Sequence, residues 1–552
     1  MNLKRISLLI LSLALLSGCE FLDNFFNTNQ IEPQNDQKDD NEENNKNDNG
    51  PIDTNVSKDK IGEFYGGLAD DNVHVGYEFS ASKEAIDKPK TGTGEVKIYS
   101  FNDFHGAVLE TDYEPGLKAF ASYYKEKSQE DNTLIFDQGD TWQGSLESNY
   151  GYGAIVQDVF NYAGVSLRTV GNHDFDWGLD HLEETINRKI GDDYIPCLAA
   201  NVYDFKDGVT GSIQQSQYGK EYATFLLENG VKIGVVGVIG TLMSSICSNR
   251  IETVNFSNPI KKIKEMSDYL RVNKNCDIVV ASTHNAISYE YESSLADISP
   301  VSNKHYVDLV LGGHEHSKAE FEIDNVKFVQ SDSHGKSSAV TSFTYDFEND
   351  CLISAPQTDV IERSEYYAYS NNVDRTINAM VDDYLEITEP IGDQVLSTHF
   401  NGYYSTYKLA TLMEEAIFER VKSSGFDIDY SYTNNARESF EGQVFTYRDL
   451  YRCFPFDNEI VLLDVDPGEY SGYRPSKYGE VDSSKETYNL ALIDYIALHQ
   501  NSFREYDYYP DAIVHSRTMF KDENGKQITY RDILKDFLLA NPDRDFSPSN
   551  IN

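Results

Sequence analysis

Val96–Gly106 reads VKIYSFNDFHG. Its first half is short, apolar and rich in β-branched and aromatic residues, the composition of a buried strand. Its second half, Asn102-Asp103-Phe104-His105-Gly106, is polar and ends in glycine. In an open α/β sheet, ligands gather beyond the carboxyl ends of the strands, so a polar cluster directly after a buried strand is where a site is expected. Side chains two apart on an extended chain face the same way. Asp103 and His105 are therefore expected to share one cation, with Gly106 allowing close backbone approach.

The pattern recurs along the chain. Thr133–Phe136 precedes Asp137-Gln138-Gly139-Asp140, and Ser166–Val170 precedes Gly171-Asn172-His173-Asp174-Phe175-Asp176. Cys276–Ala281 leads into Thr283-His284-Asn285, and Val307–Leu311 into Gly312-Gly313-His314-Glu315-His316. Val231–Val238 is a further strand-like run, while Asp180–Lys189 and Pro259–Asn273 have helical spacing. The alternation predicts an α/β class. Ala339–Phe347 alternates like an antiparallel strand. Singly, each polar cluster has an ordinary reading as a turn or a hydrogen-bonded surface residue. Jointly they do not: five of the twelve histidines fall in these clusters, and His, Asp and Asn suit borderline divalent metals. Asp140, with two oxygens, is able to bridge two cations.

Composition narrows the alternatives. The 552 residues are enough for two or three domains, and 39% hydrophobic content supports a sizeable core. Asp+Glu outnumber Lys+Arg by 91 to 47, a net charge of −44. Such a field repels phosphate backbones, so duplex nucleic-acid binding is not expected. No apolar run after the first twenty residues approaches membrane-spanning length.

Residues 1–19 have the layout of an export signal: Lys4 and Arg5, apolar Ile6–Leu16, then Leu16-Ser17-Gly18-Cys19. The ending resembles a lipobox, which implies acylation of Cys19 and a mature chain lipid-anchored outside the bacterial cell membrane. Residues 20–93, with Asn41–Asn49 reading NEENNKNDN, are expected to form a solvated acidic and Asn-rich tether. The other five cysteines, Cys197, Cys247, Cys276, Cys351 and Cys453, form no CxxC pair. Buried free thiols are expected. Asn372–Glu386 has a helical apolar stripe followed by Pro390-Ile391-Gly392, which predicts a linking helix within 361–391. Residues 392–552 then form a separate α+β unit.

The blocks IYSFNDFHG, FDQGDTWQGS, VGNHDFDWG, ASTHNA and VLGGHEHS, with LAANV and KIGVVGVIG between them, resemble the ordered signatures of the calcineurin-like metallophosphoesterases. They are closest in kind to the bacterial 5′-nucleotidase/UDP-sugar hydrolase branch. The resemblance implies a four-layer α/β/β/α metallophosphatase sandwich over residues 94–360 holding two divalent ions (zinc, manganese or iron). Asp103, His105, Asp140 and His316 would hold one ion, and Asp140, Asn172, His284 and His314 the other. His173 and Asp176 match the family's catalytic pair. Two divalent ions against two carboxylates leave a net positive centre suited to a phosphate monoester. Ions roughly 3.5–4 Å apart clamp the phosphate and make hydroxide available near neutral pH. Protonated His173 is then placed to stabilise the phosphoryl group or the leaving oxygen.

Thr433–Val461 and Glu486–Ala497 are similar to blocks of that family's substrate domain. On this likeness Arg437 binds substrate phosphate, Phe456 and Tyr495 stack a nucleobase, and Asn458 contacts the base. The pattern also departs: Asn435-Ala436 replaces a glycine-rich turn, His499-Gln500-Asn501 stands where a ribose-binding carboxylate is usual, and no arginine lies near Val395–Phe400. The expected activity is release of phosphate from nucleoside 5′-monophosphates or related esters. Nucleoside-diphosphate-sugar or cyclic-nucleotide diesterase activity on the same site is the enzymatic alternative, and a non-catalytic ligand-binding lipoprotein the alternative of another class.

Overall fold

The computed structural model describes residues 74–551, except 206–212, 241–244, 252, 467–477, 480–483 and 499–512. Cys19, the export segment and His499-Gln500-Asn501 lie outside the described residues.

Two seven-stranded sheets form the centre of the phosphoesterase-like part. One runs, in spatial order, Gly76–Ser80, Tyr222–Leu226, Lys232–Ile239, Ile278–His284, Leu309–Gly312, Val326–Gln330, Ala319–Ile323. The other runs Cys351–Leu352, Ser337–Asp346, Thr93–Phe101, Thr133–Asp137, Leu167–Thr169, Cys197–Leu198, with Gln357–Glu362 also paired to Ser337–Asp346. Thr93–Phe101, Thr133–Asp137, Leu167–Thr169 and Cys197–Leu198 are mutually parallel. So are Lys232–Ile239, Ile278–His284, Leu309–Gly312 and Val326–Gln330. Ser337–Asp346 is antiparallel to Thr93–Phe101, as its alternation predicts.

Strand periodicity explains the layers. Val96 and Ile98 face the other sheet, in one core with Leu134, Phe136, Ile233, Val235, Ile278 and Val280. Phe101, of opposite parity, packs its ring 5.2 Å from Phe120 and 5.3 Å from Phe160, on helices Gly116–Lys127 and Ala154–Ala163. Helix Pro259–Val272 covers the other sheet, with Ile263, Met266 and Leu270 against Val236 and Val279. The result is the four-layer α/β/β/α arrangement.

The expected tether does not reach residue 93. Gly76–Ser80 pairs in parallel with Tyr222–Leu226 as an edge strand, and Val75 N–H donates to Glu221 at 2.9 Å. Its alternating, half-buried pattern lets it add to the sheet despite the polar chain before it. The linking helix also differs from expectation: it spans Arg375–Gly392, begins on the Asp374 cap, and contains Pro390 instead of stopping before it. Pro390 lies in the last turn, where the missing N–H removes one bond to Glu386 without breaking the body of the helix. Ile377, Val381 and Tyr384 are buried, Asp374 N–H donates to Ser122 Oγ at 2.9 Å, and Lys118 pairs with Asp382, so the helix is fastened to the four-layer part. Four of the five cysteines are buried free thiols, whereas Cys351 sits exposed on a two-residue edge strand.

The C-terminal part has its own core, from Leu396 to Ile551. A five-stranded sheet ordered Tyr478–Gly479, Tyr430–Tyr432, Tyr488–Ile493, Ile460–Val465, Val514–Met519 is packed by helices Thr406–Ser423 and Tyr530–Ala540.

Candidate active site

The polar clusters converge at the carboxyl ends of the two parallel strand sets. Asp103 and His105 do come together, for a different reason than alternation on an extended chain. The strand ends at Phe101, and Asp103 and His105 both take left-handed backbone conformations, with φ of 50° at each. Asp140, His314 and His316 are also left-handed, at 53°, 80° and 52°. Non-glycine residues rarely adopt this region, and the surrounding bonds hold them there. His105 N–H donates to the Asp140 carbonyl at 2.9 Å, Asp103 N–H to Gly139 at 3.0 Å, and His314 N–H to Asp103 Oδ2 at 2.7 Å. The Asp140 loop is seated against the next one. A Cβ on Gly171 would fall 2.1 Å from Asp140 Oδ1 and 2.4 Å from its nitrogen, so only glycine fits.

Asp103, His105 and His316 form one set of ligand atoms, and Asp140, His284 and His314 another, each lying within 4.8 Å of one another. Asn172 Oδ1 joins the second, 3.0 Å from both His284 Nε2 and His314 Nδ1. These sets fit divalent cations on the donors themselves. Asp103 Oδ1 is buried and accepts no hydrogen bond, while His105 Nε2 and His316 Nε2 face each other at 3.0 Å. The far ring nitrogens are already committed: His105 Nδ1 donates to the Gln143 carbonyl at 2.8 Å and His284 Nδ1 to the Gln138 carbonyl at 2.7 Å. Such bonds fix the tautomer and aim the other nitrogen inward.

Electrostatics point the same way. Burial, helped by the imidazoles of His316 and His173, pushes His105 down to about 3 despite Asp140, so its ring is neutral and its lone pair free. Burial opposes the charge on Asp103, yet His316 and His284 hold its carboxyl at about 2. Burial likewise works against His284, but Asp140 at 2.9 Å carries it up to about 10. The attraction that holds a proton there favours a cation in its place.

His173 stands beside these sets without belonging to either. Its Nδ1 donates to Asp176 Oδ2 at 2.8 Å, and its ring is part-buried. Burial disfavours the imidazolium, but Asp176 and Asp140 outweigh it and raise the pKa. From the C-terminal part, Phe456 stacks its ring 5.3 Å from that of His173 at an interplanar angle of 23°. The exposed Arg437 holds its guanidinium 5.0 Å from the centre of the Phe456 ring. The contacts described for Asn458 and Tyr495 are inside the C-terminal part: the Asn458 carbonyl accepts from Tyr530 N–H at 2.8 Å, and Tyr495 packs on the C-terminal core.

Three features of the site escaped the sequence reading. His334 places its ring 5.3 Å from that of His105, and its N–H donates to the Asp103 carbonyl at 2.8 Å. A His-Gly after the strand Val326–Gln330 was the available signal. Asp174 accepts from the N–H groups of Gly171, Thr141 and Asp140 at 2.8, 3.2 and 3.3 Å, tying two metal-facing loops together. Asp137 pairs with buried Arg168 at 3.0 Å and accepts from Thr141 Oγ1 at 2.6 Å beneath Asp140.

The family model for calcineurin-like phosphoesterases matches residues 96–318. That match covers the domain these residues build. Among curated relatives it is 29% identical over 238 residues to an apyrase of Tabanus yao, covering 40% of this chain and 39% of that protein. It is also 24% identical over 453 residues to the protein UshA of Yersinia enterocolitica, covering 70% of this chain and 77% of that one. The chain thus spans less than half the length of the apyrase and about three quarters of UshA. The fold of a 5′-nucleotidase precursor from Thermus thermophilus superposes with a TM-score of 0.62 at 17% identity, over 81% of this chain and 96% of that one. The likeness of fold extends through the C-terminal part.

Proposed function

We propose that this chain is an extracytoplasmic metal-dependent phosphoester hydrolase that releases phosphate from nucleoside 5′-monophosphates or related esters. One observation carries the reading: two cation-ready ligand sets lie beside an Asp176-held His173, against which the C-terminal part delivers Phe456 and Arg437. Relatives named 5′-nucleotidase and UshA support the substrate class.

Asp103, His105 and His316 would hold one divalent ion, and Asp140, Asn172, His284 and His314 the second, with Asp140 shared. Bound there, the ions supply Lewis acidity to phosphoryl oxygens and to a water. The protein's own groups do the rest. His173, kept protonated by Asp176, donates from its free nitrogen to the leaving oxygen or a phosphoryl oxygen. Arg437 offers a guanidinium fork to phosphate, and Phe456 walls the side of His173. Asn458 and Tyr495 are assigned to recognition of the leaving group within the C-terminal part.

No helix among the described residues is long and apolar enough to cross a membrane. Attachment through lipid on Cys19 is the proposed anchor, and loss of radiolabelled fatty acid in Cys19→Ala tests it. The activity is tested by a panel of AMP, UDP-glucose, a cyclic nucleotide and a sugar phosphate, each with zinc, manganese or iron. Phosphate release that is greatest from AMP is the expected result. Preference for UDP-glucose or the cyclic ester would move the assignment to a diesterase, and no turnover with any metal would reject hydrolysis.

A further inference from the structure

The backbone of Phe454–Asp457 is held from two sides in alternation. Arg531, in the C-terminal part, donates from Nη1 to the carbonyls of Phe454 at 3.0 Å and Phe456 at 2.7 Å. From the phosphoesterase side, Gln143 Nε2 and Asn149 Nδ2 both donate to the Pro455 carbonyl, at 3.0 and 2.9 Å, and Arg250 Nη2 donates to the Asp457 carbonyl at 3.1 Å. The carbonyls of residues 454 and 456 thus serve one domain and those of 455 and 457 the other.

The donors on the phosphoesterase side are built in. Gln143 and Asn149 are 2% and 5% exposed, where an amide without a partner is costly. Gln143 lies in the loop after Asp140 and Asn149 ends the helix Leu146–Asn149 that follows it: the Gln143 carbonyl accepts from His105 Nδ1, and Asn149 Oδ1 accepts from Gly144 N–H at 2.9 Å. The held segment carries Phe456 to its place on His173. Arg437 N–H donates to the carbonyl of Cys453, the residue before that segment, at 2.8 Å.

We propose that Gln143, Asn149 and Arg250 are positioning residues that grip the backbone of Phe454–Asp457 and thereby seat Phe456 against the His173–Asp176 pair. Substrate preference is then set partly by a backbone strap between domains, in addition to side chains that touch the substrate. The inference rests on the hydrolase reading above.

The test uses the full, metal-loaded chain and two esters, AMP and p-nitrophenyl phosphate, whose small leaving group needs little recognition. Gln143→Met and Arg250→Met remove a donor each, and Asn149→Asp removes donation while keeping the acceptor for Gly144. Each should raise KM for AMP by about tenfold, the scale of one well-formed hydrogen bond, while kcat/KM for the aryl ester changes by less than about threefold. Metal content should stay at the wild-type level. Arg250→Lys, which keeps a donor, should restore the AMP KM. Equal losses on both esters, an unchanged AMP KM, or loss of metal would overturn the strap. Amide hydrogen exchange of Phe454, Phe456 and Asp457 separates this from the hydrolase reading. Faster exchange in Gln143→Met and Arg250→Met supports the strap even if the wild type splits neither ester, and unchanged exchange rejects it.

Discussion

The backbone N–H of His173 donates to Asp140 Oδ1 at 2.7 Å. The carboxylate assigned to two cations therefore also seats the residue assigned to proton transfer. Asp140→Ala should abolish hydrolysis of every substrate and reduce bound metal more than His314→Ala, because His314 serves only one ligand set. Metal analysis beside turnover checks this. Near-normal turnover of Asp140→Ala with its metal retained would sink the two-ion assignment.

His173→Asn should keep both ions, because neither ligand set includes His173. Turnover should fall by on the order of 10²–10⁴ with KM little changed, the range for loss of a placed acid–base group. Asp176→Asn removes the strongest influence raising the His173 pKa. If the protonated ring is the active form, activity fails as pH rises through that pKa, so the basic limb of the rate profile should move to lower pH in Asp176→Asn. A limb that stays in place would assign it to another group.

Arg168 and Asp137 form an ion pair with 1% and 0% of their side chains exposed, under the loop that carries Asp140. Removing one partner leaves a buried charge alone, which costs about 3–5 kcal/mol. Arg168→Leu should show that loss in denaturant unfolding of the metal-free protein. It should also weaken metal binding, since Asp137 anchors Thr141. Loss of stability with unchanged metal affinity would show that the pair supports the sheet and not the site.

The strands and the clusters after them were legible because a buried parallel strand needs a short Val/Ile run, and a site at its end needs polar residues and glycine. Asp103 and His105 stand side by side for another cause than the sequence suggests: not extended alternation but left-handed turns held by Gly139 and Asp140 bring them together. The grip of Gln143 on Pro455 spans 312 residues of sequence, and nothing in either local pattern announces it. Phe456 shows the same limit. Its aromatic character was visible, but its position on His173 depends on how two separate cores dock.

Asp494 gives a pH test away from the metal-facing residues. Its side chain is buried, Oδ1 accepts from Tyr495 N–H at 2.8 Å, and Oδ2 lies 3.6 Å from Arg250 without a hydrogen bond. Burial lifts its pKa from 3.8 to about 6 even with Arg250 pulling it down. The sign follows from which state ionises first. Below pH 3.8 the carboxyl is protonated in both folded and unfolded chains and contributes nothing. As pH rises from there to about 6 the unfolded chain ionises first, so folding loses stability through that window and does not regain it above. The loss is on the order of 3 kcal/mol if the whole shift is realised. Asp494→Asn keeps the acceptor for Tyr495 and removes the ionisation. The variant should be more stable than wild type at pH 7, and the two should converge near pH 4, as read by denaturant midpoints across that range. If wild type and variant kept a constant offset at all pH values, the folded and unfolded chains would share one pKa. A wild type that instead gained on the variant as pH rose would show that pairing with Arg250 outweighs burial.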